Sequence, residues 1–131
     1  MSERSSSALV SVVIPVHDAA EYISDTLSSI LSQSLQDIEV VIIDDNSADD
    51  TLKLLQSFAA NDSRIRLLNN SQNIGAAASR NMGLKIASGE YIIFLDDDDY
   101  PDANMLKRMY DHAVLLQADA VICRCQSLAL Q

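Results

Sequence analysis

The sequence is poor in most of the features that would mark a secreted, membrane-spanning or nucleic-acid-binding protein. It has two cysteines in 131 residues, which excludes a disulfide framework. Both lie in one short stretch, Ile122-Cys123-Arg124-Cys125, where strand spacing puts them on one face. No second Cys or His pair completes a zinc site. They read as two small apolar residues of a reducing compartment. No run approaches the roughly 20 apolar residues that a membrane-spanning helix needs. The apolar stretch from Ala8 to Val16 is broken by Ser11, contains Pro15 and has no small-residue cleavage site behind it. It therefore reads as a strand, not a secretory leader. Bases are few, with 9 Lys and Arg against 19 Asp and Glu and a net charge of -10. That balance argues against nucleic acid and against insertion into or attraction to an anionic membrane. The three glycines form neither G-x-G-x-x-G after the first strand nor G-x-x-x-x-G-K-[ST], so a dinucleotide dehydrogenase and a P-loop ATPase are poor fits. Repeats, low-complexity segments and linkers are also missing.

What remains suits one globular domain. The chain is 48% hydrophobic, and a chain of this length buries roughly two-thirds of the surface that its unfolded form exposes. Residues 1–8 are expected as a polar tail and 9–131 as the domain. Strands and helices alternate along it. Leu9–Val16 and Ile38–Asp44 read as buried strands, Arg64–Asn70 as an edge strand, and Tyr91–Asp96 and Ala118–Cys125 as the fourth and fifth strands. Helical spacing covers Glu21–Gln33, Thr51–Ala60, Ile74–Ala87 and Ala103–Gln117. Ser47 or Asp49 is a candidate N-cap for the second of these, and Asp102 for the fourth. Such alternation predicts an α/β fold, doubly wound and Rossmann-like, with a mostly parallel sheet covered on both faces by helices.

The acids are not spread evenly. Eight of the 19 fall in two clusters, Asp44, Asp45, Asp49 and Asp50, then Asp96 to Asp99. Like charges this close repel. The second cluster is therefore either a solvated turn or the seat of a positive group. Helix capping alone does not call for it, since Asp102 could cap the next helix. In open α/β sheets, ligands bind outside the carboxyl ends of the strands. Three polar segments hold that position: Pro15-Val16-His17-Asp18, Asp44-Asp45-Asn46-Ser47 and the four aspartates. Carboxylates there are hard oxygen ligands suited to Mg²⁺ or Mn²⁺. Magnesium takes few protein ligands and fills its shell with water and phosphate oxygens. A phosphate-bearing substrate follows from that chemistry. Asp49 and Asp50 are explained by a helix N-terminus.

Three segments, VSVVIPVHDAAEYISDTLSSILSQ, EVVIIDDNSADDT and NIGAAASRNMGLKIASGEYIIFLDDDDYP, together resemble family 2 glycosyltransferases of the GT-A fold. The resemblance runs from about Leu9 to Cys125, in order. It implies transfer of a sugar from a nucleotide-diphosphate donor, commonly a UDP-sugar, to a saccharide or lipid-linked acceptor, with inversion. It implies a role in polysaccharide or cell-wall assembly, in the cytoplasm or at the inner face of the membrane. The D-x-D motif falls on Asp96, Asp97 and Asp98. Asp98 then matches the direct metal ligand, and Asp96 a contact to the ribose or, through water, to a Mg or Mn cation. Asp45 matches the acid that accepts a hydrogen bond from the base. Pro15 and His17 match the loop along the nucleoside, Arg80 a basic residue near the donor, and Gly75 a glycine at the start of the preceding helix. Two positions depart from the family, which carries an aromatic residue at 17 and Asn at 18. The family's catalytic base lies well downstream of D-x-D, so it is expected beyond Gln131. The chain then reads as the donor-binding portion of such an enzyme, truncated before the acceptor region. His112 reads as a surface residue.

Three other readings of the acids stay open at this point: a non-catalytic nucleotide-binding module, a receiver-type signalling domain, and a phosphatase with a nucleophilic aspartate. A receiver wants an acid pair after the first strand, and a phosphatase wants Thr where Tyr100 stands.

Overall fold

A computed structural model describes residues 8–124. Its elements alternate in the order β1 (Val10–Val16), α1 (Ile23–Leu31), β2 (Ile38–Asp44), α2 (Thr51–Asn61), β3 (Ile65–Asn69), α3 (Ala76–Ile86), β4 (Tyr91–Phe94) and α4 (Met105–Leu115). The strands form one parallel sheet in the order β3-β2-β1-β4. Every residue of β1 and β2 is buried, as near-continuous β-branched runs require when both sheet faces are covered.

The period of two along each strand divides the core. Val10, Val12, Ile14 and Val16 of β1, with Ile38, Val40 and Ile42 of β2, pack against Ile23, Leu27 and Ile30 of α1, Leu55 of α2 and Leu106 of α4. The alternate residues Val13, Val41 and Ile43 meet Met82 and Ile86 of α3. Helices therefore cover both faces, and among the described residues α3 alone lies on the second. A Cβ at Gly83 would lie 2.4 Å from Val13 Cγ1 and 2.9 Å from Ile43 Cδ1, so α3 sits on the sheet at a distance only glycine allows. Gly83→Ala is expected to destabilise by about 1–3 kcal/mol through overpacking. The readout is a lower urea midpoint at unchanged m-value.

Pro15 stands inside a central strand, where proline normally removes a ladder bond. Here none is lost. Val13 presents its carbonyl to Leu95 of the β4 side, and Val16 presents its own to Asp45 of the β2 side. Pro15 shares the orientation of Val13, so its missing N–H points toward β4. The β1–β4 register accordingly ends at Val13 and Phe94.

At the opposite end of the sheet, Glu39 is 5% exposed and fully engaged. Its carboxylate accepts from Ser11 Oγ (2.6 Å), Ser88 N (2.9 Å), Ser88 Oγ (3.1 Å) and Arg66 Nη1 (3.0 Å). Burial pushes this carboxyl's pKa up, but the bonds from Ser11, Ser88 and Arg66 outweigh it and hold it below the usual value. A lowered folded-state pKa gives stability that is present above the unfolded value and lost as pH falls through the folded one. Glu39→Gln should therefore be less stable than the wild type at pH 7. The gap should close as pH drops below about 4.3, the ordinary glutamate value. Urea midpoints at pH 7 and pH 3 measure it, and a gap independent of pH would contradict the assignment.

Two expectations meet differences. Ala8, expected in the tail, is buried and accepts the Glu90 N–H through its carbonyl. The fifth strand, expected over Ala118–Cys125, does not form over residues 118–124, and Cys125 lies outside the described residues. A strand requires a paired neighbouring strand, and residues 118–124 have none among the described residues. Tyr91 Oη holds the Ala118 carbonyl at 2.8 Å, while Ile122 is 94% exposed.

Candidate functional site

The strand order creates the site. From β1 the chain steps outward to β2 and β3, then returns to the other side of β1 for β4. That reversal opens a crevice between β1 and β4 at the strands' carboxyl ends. Because all strands are parallel, the loops after β1, β2 and β4 reach the same edge. A cavity of about 200 Å³ lies there, lined by Pro15, Val16, His17, Asp45, Ala76 and Asp96 to Asp98. Four segments distant in sequence thus share one small volume.

Asp45 forms its inner wall. It is 3% exposed and acts as a hub. Its Oδ1 accepts from Ile74 N (2.8 Å) and Asn70 Nδ2 (3.0 Å), and its Oδ2 from Gly75 N (2.8 Å). Burial raises the pKa of this carboxyl, but the bonds from Ile74, Asn70 and Gly75, with the nearby His17, bring it below the usual range. Asp45 is accordingly a carboxylate at neutral pH, with one Oδ2 lone pair not taken by these bonds. Gly75 makes the geometry possible. Its φ of +91° is strained for any residue with a Cβ, although a Cβ there would touch nothing. Gly75→Ala is expected to destabilise by roughly 1–2 kcal/mol from backbone strain alone, measured as a fall in thermal midpoint.

His17 is anchored to the same hub. Its Nδ1 donates to the Asp45 carbonyl at 2.7 Å, which leaves Nε2 facing Asp18 Oδ2 (3.2 Å) and Asn73 Nδ2 (3.5 Å). Its backbone N–H crosses the crevice to Asp97 Oδ2 at 3.2 Å.

The four aspartates divide by direction. Asp97 turns inward to that N–H, and its carbonyl accepts from Thr26 Oγ1 at 2.9 Å. Burial pushes the Asp97 carboxyl's pKa up; the His17 N–H offsets part of this, and Asp98 and Asp96 push it further. Asp96, Asp98 and Asp99 converge instead, each able to offer one oxygen within 4.8 Å of the others. Asp99 Oδ2 accepts the Asp96 N–H at 2.8 Å, closing a tight turn. Three hard oxygens at that separation fit Mg²⁺ or Mn²⁺. Arg80 Nη2 meets Asp96 Oδ1 at 2.8 Å, so α3 delivers a guanidinium to the outer side of the loop.

The candidate residues Pro15, His17, Asp45, Gly75, Arg80, Asp96, Asp97 and Asp98 are therefore brought together at one sheet edge. Asp99 joins the converging carboxylates in the place that the D-x-D reading left to Asp96 and Asp98 alone. Sequence reasoning also passed over Asn70, Asn73 and Tyr22. Asn70 looked like the end of an edge strand, and its bond to Asp45 spans 25 residues. Tyr22 lies beside the acidic loop. The charge of Asp97, with burial and the charges of Asp98, Glu21 and Asp49, raises its phenol pKa. His112 is exposed on α4, with Nδ1 on the Arg108 carbonyl, and does not line the cavity.

The family model described as Glycosyl transferase family 2 matches residues 11–127. The chain belongs to glycosyltransferase family 2. It is 46% identical over 92 residues to the Escherichia coli enzyme WfaP, described as a UDP-Glc:alpha-D-GlcNAc-diphosphoundecaprenol beta-1,3-glucosyltransferase, covering 70% of this chain and 36% of that one. Its fold matches Staphylococcus aureus TarS 1-349 in complex with UDP-GlcNAc, with a TM-score of 0.72 and 32% identity over 82% of this chain and 31% of that one. It also matches the Pyrobaculum calidifontis mannosyltransferase PcManGT in complex with GDP-Man and Mn²⁺, with a TM-score of 0.70 and 26% identity over 78% of this chain and 31% of that one. The chain spans about a third of the length of such relatives. Among the described residues, no helix is long and apolar enough to cross a membrane.

Family membership sets aside the receiver-type and phosphatase readings. It also frames the departure at Asp18. Asp18 has φ 46°, a left-handed conformation that Asp and Asn both tolerate. Its Oδ1 accepts the Ala48 N–H at 2.7 Å, and its own N–H donates to Ser47 Oγ at 3.0 Å. An Asn Oδ1 could do the same, so Asp18 retains the loop-to-loop tie that the family's Asn can make.

Proposed function

We propose that this chain binds the donor of an inverting, metal-dependent glycosyl transfer, the donor being a UDP-sugar and the acceptor a saccharide or lipid-linked hydroxyl. The observation that carries the reading is the shared cavity. A buried acceptor, Asp45, stands at one end, converging carboxylates stand at the other, and Pro15 and His17 lie between. A buried carboxylate acceptor suits a nucleoside base at the first end, and hard oxygens with a cation suit a diphosphate at the second. The UDP-sugars named for WfaP and TarS support the donor class, and the Mn²⁺ named for PcManGT supports the cation.

In this reading the free Oδ2 lone pair of Asp45 accepts an N–H from the base, commonly uracil. Pro15 and His17 lie along the nucleoside, Asp97 holds the His17 backbone toward it, and the Gly75 N–H keeps Asp45 ionised. Asp98, with Asp96 and Asp99, would hold Mg²⁺ or Mn²⁺. When bound, the cation offsets the charge that develops on the leaving diphosphate. Arg80 adds a fixed positive charge at the same end. Among the described residues, the carboxylates and imidazole lining this cavity are all committed to those tasks. The proposal therefore assigns this chain donor binding, not deprotonation of the acceptor.

Calorimetric titration tests it. UDP should bind in the presence of Mn²⁺, lose at least tenfold in affinity on adding EDTA, and bind more tightly than GDP. Binding that ignores the metal, or no preference for uridine, would count against the reading.

A further inference from the structure

The acidic loop holds three converging carboxylates against their mutual repulsion, and its internal bonds are only those of a tight turn. The restraint comes from elsewhere. Thr26, 2% exposed on α1, donates through Oγ1 to the Asp97 carbonyl at 2.9 Å. Gln33, 0% exposed just past the end of α1, spans the other side of the loop. Its Nε2 donates to the Asp102 carbonyl (2.6 Å) and the Ser29 carbonyl (3.2 Å), and its Oε1 accepts the Leu106 N–H (3.1 Å). The Ser34 N–H adds a bond to the Ala103 carbonyl at 2.8 Å. Asp98 and Asp99 thus sit in a span whose two ends are pinned to α1 and its C-terminal turn.

The chemistry of Gln33 is specific. Both amide hydrogens and the amide oxygen are used. The Leu106 N–H belongs to the first turn of α4, where a backbone donor has no partner within its own helix. Glutamate would offer no donor to the Asp102 carbonyl, and methionine of similar length would make none of these bonds. We propose that Thr26 and Gln33 are positioning residues for the carboxylate loop. They set the affinity for a divalent cation, and hence for the diphosphate, without touching either. The proposal rests on the metal-binding reading of Asp96, Asp98 and Asp99 given above.

The test measures Mn²⁺ affinity by electron paramagnetic resonance of the free ion, with UDP present, on the 131-residue chain and on Thr26→Val, Thr26→Ser and Gln33→Met. Thermal unfolding and uridine binding are followed in parallel. Thr26→Val keeps the side chain's shape and loses one bond. It is expected to weaken Mn²⁺ binding about tenfold, with uridine affinity unchanged, while Thr26→Ser restores wild-type affinity. Gln33→Met is expected to weaken it at least as much. Should Gln33→Met fail to fold, the Thr26 pair still decides. Wild-type Mn²⁺ affinity in Thr26→Val would overturn the proposal while leaving the metal reading intact. Absence of Mn²⁺ binding by the wild type would overturn both.

Discussion

Asp98→Ala should abolish cation-dependent UDP binding, with at least a 100-fold loss of affinity, and should leave the fold intact. The cause is electrostatic and geometric. Asp96, Asp98 and Asp99 are the groups whose oxygens converge within 4.8 Å, and magnesium-type sites use only one or two protein carboxylates. Removing one therefore takes away a large share of the protein's contribution. Asp98 is exposed, so its loss opens no cavity. Deleting one of four adjacent negative charges relieves repulsion, and the thermal midpoint should hold or rise slightly. Asp97→Asn separates direction from mere charge. Asp97 points to the His17 N–H and away from the triad, so its substitution should weaken metal-dependent binding far less. Equal effects at 97 and 98 would mean that the loop acts as a diffuse negative patch and not as a coordinating group.

Asp45→Ala should destabilise the fold strongly. Alanine leaves the Ile74 N–H without its acceptor, and it leaves the Gly75 N–H and the Asn70 amide with only their longer bonds, to Asn73 Oδ1 (3.2 Å) and Ser79 Oγ (3.3 Å). Each unsatisfied buried donor costs about 1–3 kcal/mol. With one donor stranded and two weakened, a loss of about 2–4 kcal/mol is expected, a sizeable part of the usual 5–15 kcal/mol of a domain. Asp45→Asn retains one oxygen and should fall between alanine and the wild type. The effect is pH-dependent in a defined direction. The folded-state pKa of Asp45 lies below its ordinary value, so its stabilisation is complete above the unfolded aspartate value of about 3.9 and fades as pH falls through the lower folded value. Urea unfolding at pH 7 and below pH 3 would show wild type and Asp45→Ala drawing together in acid. A variant as stable as the wild type at pH 7 would remove Asp45 from its place as a hub.

How much of this was legible beforehand depended on whether the signal was local. β2 was expected at Ile38–Asp44 and is found there, because an apolar run closed by a buried acid marks both its faces and its end. The helix expected over Glu21–Gln33 is shorter, at Ile23–Leu31, since Gln33 folds back to serve α4. No helical periodicity announces that. β4 stops at Phe94 and not at Asp96, because Leu95 makes its last backbone bond to Val13 before the chain turns into the acidic loop. The strand expected at Ala118–Cys125 looked right in composition, but pairing is a property of neighbours and not of residues. The site follows the same division. Acids after strands were visible one segment at a time. The partners of Asp45, 25 to 30 residues away, were not. Neither was the turn that sends Asp99 toward Asp96 and Asp98 while Asp97 faces the crevice.

The most direct measurement is paramagnetic relaxation by Mn²⁺ in solution. With UDP present, trace Mn²⁺ should broaden the backbone amide signals of Asp96, Asp98 and Asp99 and both phosphorus signals of the nucleotide. The amides of Glu39 and Ser88, at the far end of the sheet, should stay sharp. EDTA should restore every signal. Broadening of the phosphorus signals without the loop amides, or of amides scattered over the acidic surface, would contradict a site in which the cation and the diphosphate meet at the four aspartates.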